Sequence, residues 1–349
     1  MILTVLIAAL AFATPRDVAI SRLLPAAPAL ASSMWSVAAT VVLGLVCILA
    51  VLGLAIAFAD TGPLFTAGAI TAVTVAAAYA GHVRLQRERT LTQVRSVADV
   101  AQQVLLRPVP GRLGDVEIET LYLAAAAHAR IGGDFYEAVD TAHGVRLLIG
   151  DVRGKGLSAV GVAAAVTSCF REAAHDEPDL RRVAGRLEAS MVRYSGALPD
   201  RDSGERFATA LLAEVPQGGG LVRLLNCGHP PPLLFHCGGV LVLEPTAASP
   251  PLALAALIGD GYRVDTVPLA PGDQMLLCTD GVTETRNHFG QFFPLADWAR
   301  QQSSPPPRVL LERLHRDLLR HGDGTLDDDI AALAVRCAPS AGDTAPRPS

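Results

Sequence analysis

Two aspartates near the middle of the chain have the spacing of cross-strand partners. Asp134 and Asp151 flank a segment with the pattern of a strand, a tight turn centred between Ala142 and His143, and a second strand. This hairpin would place the two carboxylates opposite each other, with Cβ atoms about 4.5–5.5 Å apart. Like charges that close are destabilising unless a cation lies between them, and carboxylate oxygens suit Mg²⁺ or Mn²⁺. The pair therefore predicts a divalent metal site.

The alternative for each aspartate alone is a capping role, because Asp is common in turns and at helix starts. Two further acidic segments favour the metal site over separate caps. Asp280 follows the apolar strand predicted at 274–278, and the acidic run 327–329 leads directly into another apolar strand. Acidic residues at the ends of core strands have no packing purpose, so we expect them to converge with Asp134 and Asp151 on one rim of a sheet.

The elements that must position these residues alternate between strands and helices beyond Pro110, with many hairpin signals. This order predicts an α+β domain at 110–337 rather than a doubly wound parallel sheet. The predicted strands are 116–126, 135–140, 145–150, 207–215, 221–226, 232–236, 240–243, 262–268, 274–278 and 330–336. The predicted helices are 157–174, 179–194, 294–302 and 307–321.

The N-terminal quarter of the chain carries most of its excess apolar character. The whole sequence is 50% hydrophobic with a mean hydropathy of +0.35. Segments 34–59 and 61–83 contain no charged residue, and each is long enough to cross a bilayer core of about 30 Å. Residues 1–14 form a possible third span. We therefore predict a membrane-spanning region at 1–83.

Arginines cluster directly after the second predicted span, which places the C-terminal domain in the cytoplasm of a multi-pass protein of the cell membrane. An apolar stripe at helical spacing predicts a linker helix at 84–109, which either couples the membrane to the domain or contributes to a homodimer. The last residues, 338–349, are predicted to be disordered.

Charge and cysteine content exclude several other classes of function. The net charge is −5 and the acidic residues are concentrated after the predicted spans, which argues against a nucleic-acid partner. The six cysteines occur singly, without a CxxC pair, and are interpreted as small buried apolar residues in a reducing compartment. His229, in a Gly-His-Pro-Pro-Pro segment, is interpreted as a structural residue rather than a general acid.

Six short segments also carry a family resemblance. They are RIGGDFY at 130–136, IGDVRGKG at 149–156, FATAL at 207–211, NCGHPPP at 226–232, CTDGVTE at 278–284 and DDI at 328–330. In this order they resemble the bacterial PP2C-like (PPM) serine/threonine phosphatases, specifically the SpoIIE/RsbU-type branch. Two departures from the family pattern are Ala331, where Thr is usual, and Glu137, where Asp is more usual.

The resemblance implies a four-layer αββα sandwich with two Mn²⁺ or Mg²⁺ ions between the sheets. It implies that Asp151 bridges the ions, that Asp280 and Asp328 hold one of them, and that the Val152 carbonyl completes the other site. Asp134 would orient the attacking water. Gly133, Asp329 and Lys155 are predicted to support these ligands from around the site. For Lys155, next to Asp151 in a glycine-rich segment, the two interpretations are a residue that steers phosphate and part of a solvated loop.

The expected activity is hydrolysis of phosphoserine or phosphothreonine on a regulatory protein, an anti-sigma-factor antagonist by family resemblance, controlled through the membrane anchor. One alternative is a non-catalytic, membrane-tethered binding module on the same fold. Another is a cyclic-dinucleotide synthase, because Gly-Gly-Asp-Phe-Tyr resembles the GGDEF loop. The second alternative is disfavoured because Phe135 stands where that site needs an acid.

Overall fold

A computed structural model describes residues 26–58, 62–124, 132–197, 206–258 and 261–337. The chain divides into two units, Met1–Val94 and Arg95–Ser349. The possible span at 1–14 and the tail at 338–349 lie outside the described residues.

The first unit is helical. Its described helices are α1 (Ala26–Met34), α2 (Val37–Phe58) and α3 (Gly62–Leu105), the last of which continues into the second unit. The hydroxyls of Thr71 and Thr74 donate to carbonyls one turn earlier at 2.8 and 2.7 Å. Helices α2 and α3 approach closely at Gly44, where an added Cβ would lie 2.3 Å from the Thr74 side chain. Small residues permit this kind of close helix packing.

The second unit contains two antiparallel sheets. Their strands are β1 (Arg112–Leu113), β2 (Val116–Leu123), β3 (Phe135–Thr141), β4 (Gly144–Val152), β5 (Ala208–Val215), β6 (Gly220–Cys227), β7 (Leu233–His236), β8 (Gly239–Val242), β9 (Asp265–Leu269), β10 (Gln274–Cys278) and β11 (Ile330–Cys337). One sheet has the order β1-β2-β11-β10-β7-β8, and the other has the order β3-β4-β5-β6-β9.

Helices cover the outer faces of both sheets. The helices of this unit are α4 (Leu157–Asp176), α5 (Leu180–Ala197), α6 (Ala255–Ile258), α7 (Asp280–Glu284), α8 (Leu295–Arg300) and α9 (Pro307–His321). Helices α4 and α5 share a core with the five-stranded sheet, and α8 and α9 share one with the six-stranded sheet. A third core lies between the sheets. These layers confirm the predicted αββα sandwich.

The apolar spacing of the sequence explains this layering. Leu310, Leu314 and Leu318 recur every four residues on α9 and are all buried, with Pro307 at the first turn where its missing N–H costs nothing. Strand β4 is buried on both faces along most of its length, as a central strand between two cores must be.

All ten predicted strands and four predicted helices are present, with ends shifted by a few residues. Strand β9 begins at Asp265, three residues later than predicted, and β10 and α9 have the predicted bounds. In the second unit, three short elements, β1, α6 and α7, were not predicted because two to five residues are too few to show a period.

Two helical segments in the described part of the chain are long and apolar enough to cross a membrane, Phe65–Thr90 and Leu157–Asp176. The second is α4, whose apolar residues form part of the domain core. Val37–Gly53 is a shorter apolar segment. Only the segments in the first unit are therefore candidates for a membrane.

A buried arginine fastens the helical layer to the five-stranded sheet. Arg146 on β4 is fully buried and pairs with Glu214 of β5, with an Nε–Oε2 distance of 2.8 Å. Its remaining N–H groups donate to the carbonyls of Ala174, Glu177 and Pro178 at the junction of α4 and α5. The charge is thus hydrogen-bonded on every side, as burial of a guanidinium requires.

Candidate metal centre

The β3–β4 hairpin brings Asp134 and Asp151 together as predicted. The strands pair in the predicted register, and the Val152 N–H donates to the Gly133 carbonyl at 3.2 Å just beyond the last strand pair. Asp134 precedes β3 directly, so it lies opposite Asp151, and the two carboxyl groups are close enough for each to shift the pKa of the other. Two acidic side chains held this closely must share a proton or a cation.

The second sheet supplies the other acidic residues. Asp280 is the first residue of α7, two residues after the end of β10, and Asp328 lies two residues before the start of β11. Thr279 joins the two sheets, because its Oγ1 donates to Asp134 Oδ2 at 2.7 Å and accepts from the Ala331 N–H at 2.9 Å. Ala331 therefore supports the site through its backbone.

Burial and mutual repulsion raise the pKa of three of these carboxyls. Burial raises the pKa of Asp134 well above 3.8, and the charge of Asp151 raises it further. The pKa of Asp151 rises to about 7, chiefly by burial and then through the charges of Asp280 and Asp328. Burial also raises the pKa of Asp280, with added repulsion from Glu284 and Asp328. The carboxylates occupy one shared electrostatic field, so each makes ionisation of the others more costly.

A lysine already contacts one of the predicted ligands. Lys155 Nζ lies 2.9 and 3.0 Å from the two Asp328 oxygens, so its ammonium makes a bidentate contact at the rim. In the described part of the chain, no three His, Cys, Asp or Glu side chains are placed to hold one ion together. The donor set nevertheless fits a hard divalent cation in type, since it consists of carboxylates beside a backbone carbonyl.

Asp329 has a structural role next to the site. Its Oδ2 accepts from the Tyr122 hydroxyl at 2.6 Å and from the Gly132 N–H at 3.0 Å. A Cβ at Gly132 would lie 2.5 Å from this oxygen, and one at Gly133 would lie 2.5 Å from the Val152 carbonyl. Both positions therefore require glycine.

Thr209 and Thr279 were missed in the sequence, although both lie in short polar segments next to apolar strands. Thr209 is the cross-strand partner of Asp151. Its hydroxyl lies 3.1 Å from Nδ1 of His229, whose backbone is held by the Asn226 side chain. Burial lowers the pKa of His229 to about 3, so the imidazole is neutral. The predicted structural role of His229 agrees with this position.

The Glu137 departure has a local explanation. Its side chain is buried and forms an ion pair with Arg171 on α4, across the outer face of the sheet. The longer side chain therefore connects strand and helix, away from the carboxylate cluster.

Comparison with known proteins decides the family. The profile described as Stage II sporulation protein E (SpoIIE) matches residues 141–338. The chain belongs to the SpoIIE family. The SpoIIE-family domain thus contains Asp151, Asp280 and Asp328, while Asp134 lies just before the matched range.

Solved structures agree with this SpoIIE-family assignment. The RsbU and RsbW domains of Rv1364c from Mycobacterium tuberculosis are 28% identical, with a TM-score of 0.54, covering 65% of this chain and 63% of that one. The SiaA-PP2C domain of Pseudomonas aeruginosa is 21% identical with a TM-score of 0.59, covering 72% of this chain and 98% of that one. The second unit therefore has the fold of a PP2C domain.

Among curated proteins, Protein IcfG from Synechocystis sp. is 24% identical over 231 residues. The match covers 59% of this chain and 36% of IcfG, so the SpoIIE-family chain spans about a third of the length of that relative.

The cyclic-dinucleotide synthase alternative has no support in this fold. Phe135 is fully buried in the core beneath α4, so the residue after Asp134 is not available to a nucleotide.

Proposed function

We propose that this protein hydrolyses phosphoserine or phosphothreonine on a regulatory protein, in a reaction that depends on two Mn²⁺ or Mg²⁺ ions. The observation that carries the proposal is the meeting of Asp134, Asp151, Asp280 and Asp328 at one rim of two different sheets, with raised pKa values at the first three. Perturbed carboxyls gathered in one place indicate a functional site rather than four separate caps.

The proposed ligands are the carboxylates of Asp151, Asp280 and Asp328 together with the Val152 carbonyl. Bound divalent ions would supply an activated water and neutralise charge on the phosphoryl group. Asp134 accepts a hydrogen bond from Thr279, which fixes the direction of its carboxylate. A carboxylate held in this way can orient a water for attack on phosphorus, so no side-chain nucleophile is needed.

The test is hydrolysis of a phosphopeptide and of an aryl phosphate by the full chain in detergent, with and without Mn²⁺. We expect activity only with the ion, and we expect Asp151→Asn and Asp280→Asn each to lower kcat by at least about 100-fold. Mn²⁺ binding is measured in parallel by calorimetry.

The matched control is Asp140→Asn, which removes a carboxylate from an exposed position on the same hairpin and should leave both measurements unchanged. Hydrolysis that survives chelation, or that survives Asp151→Asn, contradicts the proposed chemistry. Absence of Mn²⁺ binding with a folded domain would instead favour the non-catalytic binding module.

We further propose that residues 1–83 anchor the protein in the cell membrane, with the phosphatase domain in the cytoplasm and 84–109 as the linker. Helix α2 contains no charged residue. Val42, Ile56 and Phe65 are large apolar side chains exposed to the surroundings of the helices. Retention in the pellet after carbonate extraction of membranes supports an integral anchor, while release into the supernatant contradicts it.

The proposed partner is a phosphorylated regulatory protein of the anti-sigma-factor-antagonist class, because the chain belongs to the SpoIIE family and resembles a protein with RsbU and RsbW domains. Comparison of phosphoproteins in cells with and without the gene tests this assignment. One regulatory protein should gain phosphate when the gene is removed. A homodimer through 84–109 stays a prediction, which light scattering of the purified chain would check.

A further inference from the structure

The cysteines do not all have the buried positions predicted for them. Cys47, Cys227, Cys278 and Cys337 are buried and Cys169 is partly buried, but Cys237 is exposed. It occupies the two-residue turn between β7 and β8, at the edge of the six-stranded sheet.

Cys237 lies in a conformation that cysteine seldom adopts. Its φ is +48° and that of Gly238 is +76°, so both central residues of the turn are left-handed. Such hairpin turns favour Asn, Asp or Gly, because a side chain with positive φ is strained. Turn formation therefore does not account for cysteine at this position.

The neighbouring histidine contacts the thiol directly. His236 Nε2 lies 3.2 Å from Cys237 Sγ. The other ring nitrogen, Nδ1, lies 3.0 and 2.9 Å from the two oxygens of Asp273. A carboxylate only accepts hydrogen bonds, so Nδ1 carries the proton, and in the neutral imidazole Nε2 is then the acceptor toward the sulfur.

The carboxylate that orients the histidine is itself held firmly. Asp273 is buried, and its Oδ2 also accepts from the Ala270 N–H at 2.8 Å. It precedes β10 and lies opposite His236 in the register in which Gln274 pairs with Phe235. The sheet therefore fixes the order sulfur, imidazole, carboxylate, which is the arrangement of an activated nucleophile, its base and the group that orients the base.

We propose that Cys237, His236 and Asp273 form a thiol-exchange site that reacts with low-molecular-weight disulfides. In the reaction, the thiol proton passes to His236 Nε2 and the sulfur attacks one sulfur of R–S–S–R. A Cys237–S–S–R bond forms as the original S–S bond breaks. The leaving thiolate takes the proton from the imidazole as RSH, so electrons and protons balance within the two reactants.

This site is separate from the metal centre. Asp273 lies before the first residue of β10 and Asp280 lies beyond its last, which places the two sites about 20 Å apart along the sheet. The inference therefore does not depend on the proposed phosphatase activity.

The experiment exposes the full chain, in detergent at pH 7, to oxidised glutathione for short times and locates the adducts by peptide mass spectrometry. We expect one adduct, on Cys237, that dithiothreitol removes. Cys237→Ser should abolish it, and Cys169→Ser should not. His236→Gln and Asp273→Asn should each slow the reaction by about tenfold, because an ordinary thiol is only a few per cent thiolate at this pH.

Circular dichroism of each variant shows whether the fold is retained. A first adduct on another cysteine, or no adduct in the wild type, overturns the proposal. Folded His236→Gln and Asp273→Asn variants that react as fast as the wild type also overturn it, because exposure alone would then set the reactivity of Cys237.

Discussion

Asp151→Asn should destroy activity and yet stabilise the metal-free domain. The pKa of Asp151 rises from 3.8 to about 7 on folding, so the folded state holds its proton more tightly than the unfolded state. The contribution of this carboxyl to the free energy of unfolding is therefore fully present below the pKa of the unfolded state. It is lost as the pH rises through the pKa of the folded state. Such a shift corresponds to about 4 kcal/mol at high pH, of which more than half is lost between pH 5 and pH 8.

Asparagine has the same shape but does not ionise, so the variant should lack this pH-dependent loss. The chain has two tryptophans, and Trp298 is buried in the phosphatase domain. In a Trp35→Phe background, fluorescence of Trp298 then reports urea unfolding of this domain. With EDTA, we expect Asp151→Asn to be more stable than its parent at pH 8. At pH 5, the difference between their free energies of unfolding should be smaller.

With Mn²⁺ at pH 8, the parent should instead be more stable than Asp151→Asn, because the ion stabilises only the chain that can bind it. Asp140→Asn, on the same hairpin but exposed, should change stability by less than about 0.5 kcal/mol at either pH. The reasoning would be refuted if the free energy of unfolding of Asp151→Asn depended on pH as steeply as that of its parent. It would also be refuted if Asp151→Asn were less stable than its parent in EDTA at pH 8.

Three further predictions follow from contacts around the site. Lys155→Met should raise Mn²⁺ affinity up to about fivefold by calorimetry, since it releases Asp328 from an ion pair worth at most about 1 kcal/mol; weaker binding would contradict this. Arg146→Met should lower the free energy of unfolding in urea by about 3–5 kcal/mol, because it removes one of the two arginines that pair with buried Glu214 and takes the donor from three carbonyls at the α4–α5 junction; a loss below 1 kcal/mol would contradict it. Thr279→Val removes the hydrogen bond that lowers the pKa of Asp134, so the acid limb of the pH–activity profile should move to higher pH. An acid limb at the same pH as in the wild type would show that Asp134 does not control the rate.

Local patterns allowed much of the fold and part of the site to be predicted. The hairpin that pairs Asp134 with Asp151 follows from strand periodicity and one turn, and both lie within eighteen residues. The contact between Lys155 and Asp328 joins residues 173 positions apart. Such contacts depend on how two sheets pack, and no short pattern encodes that. The exposure of Cys237 was mispredicted because an apolar sequence context does not reveal a left-handed turn.

The carboxylates of the site come from two sheets that are connected mainly by the apolar layer between them. Metal–ligand distances tolerate deviations of about 0.2 Å, whereas packed apolar faces slide over one another more easily than hydrogen-bonded strands separate. The affinity for the proposed ions would therefore depend on the alignment of the two sheets. A force or contact that displaces one sheet by half an ångström would change the affinity without altering either sheet.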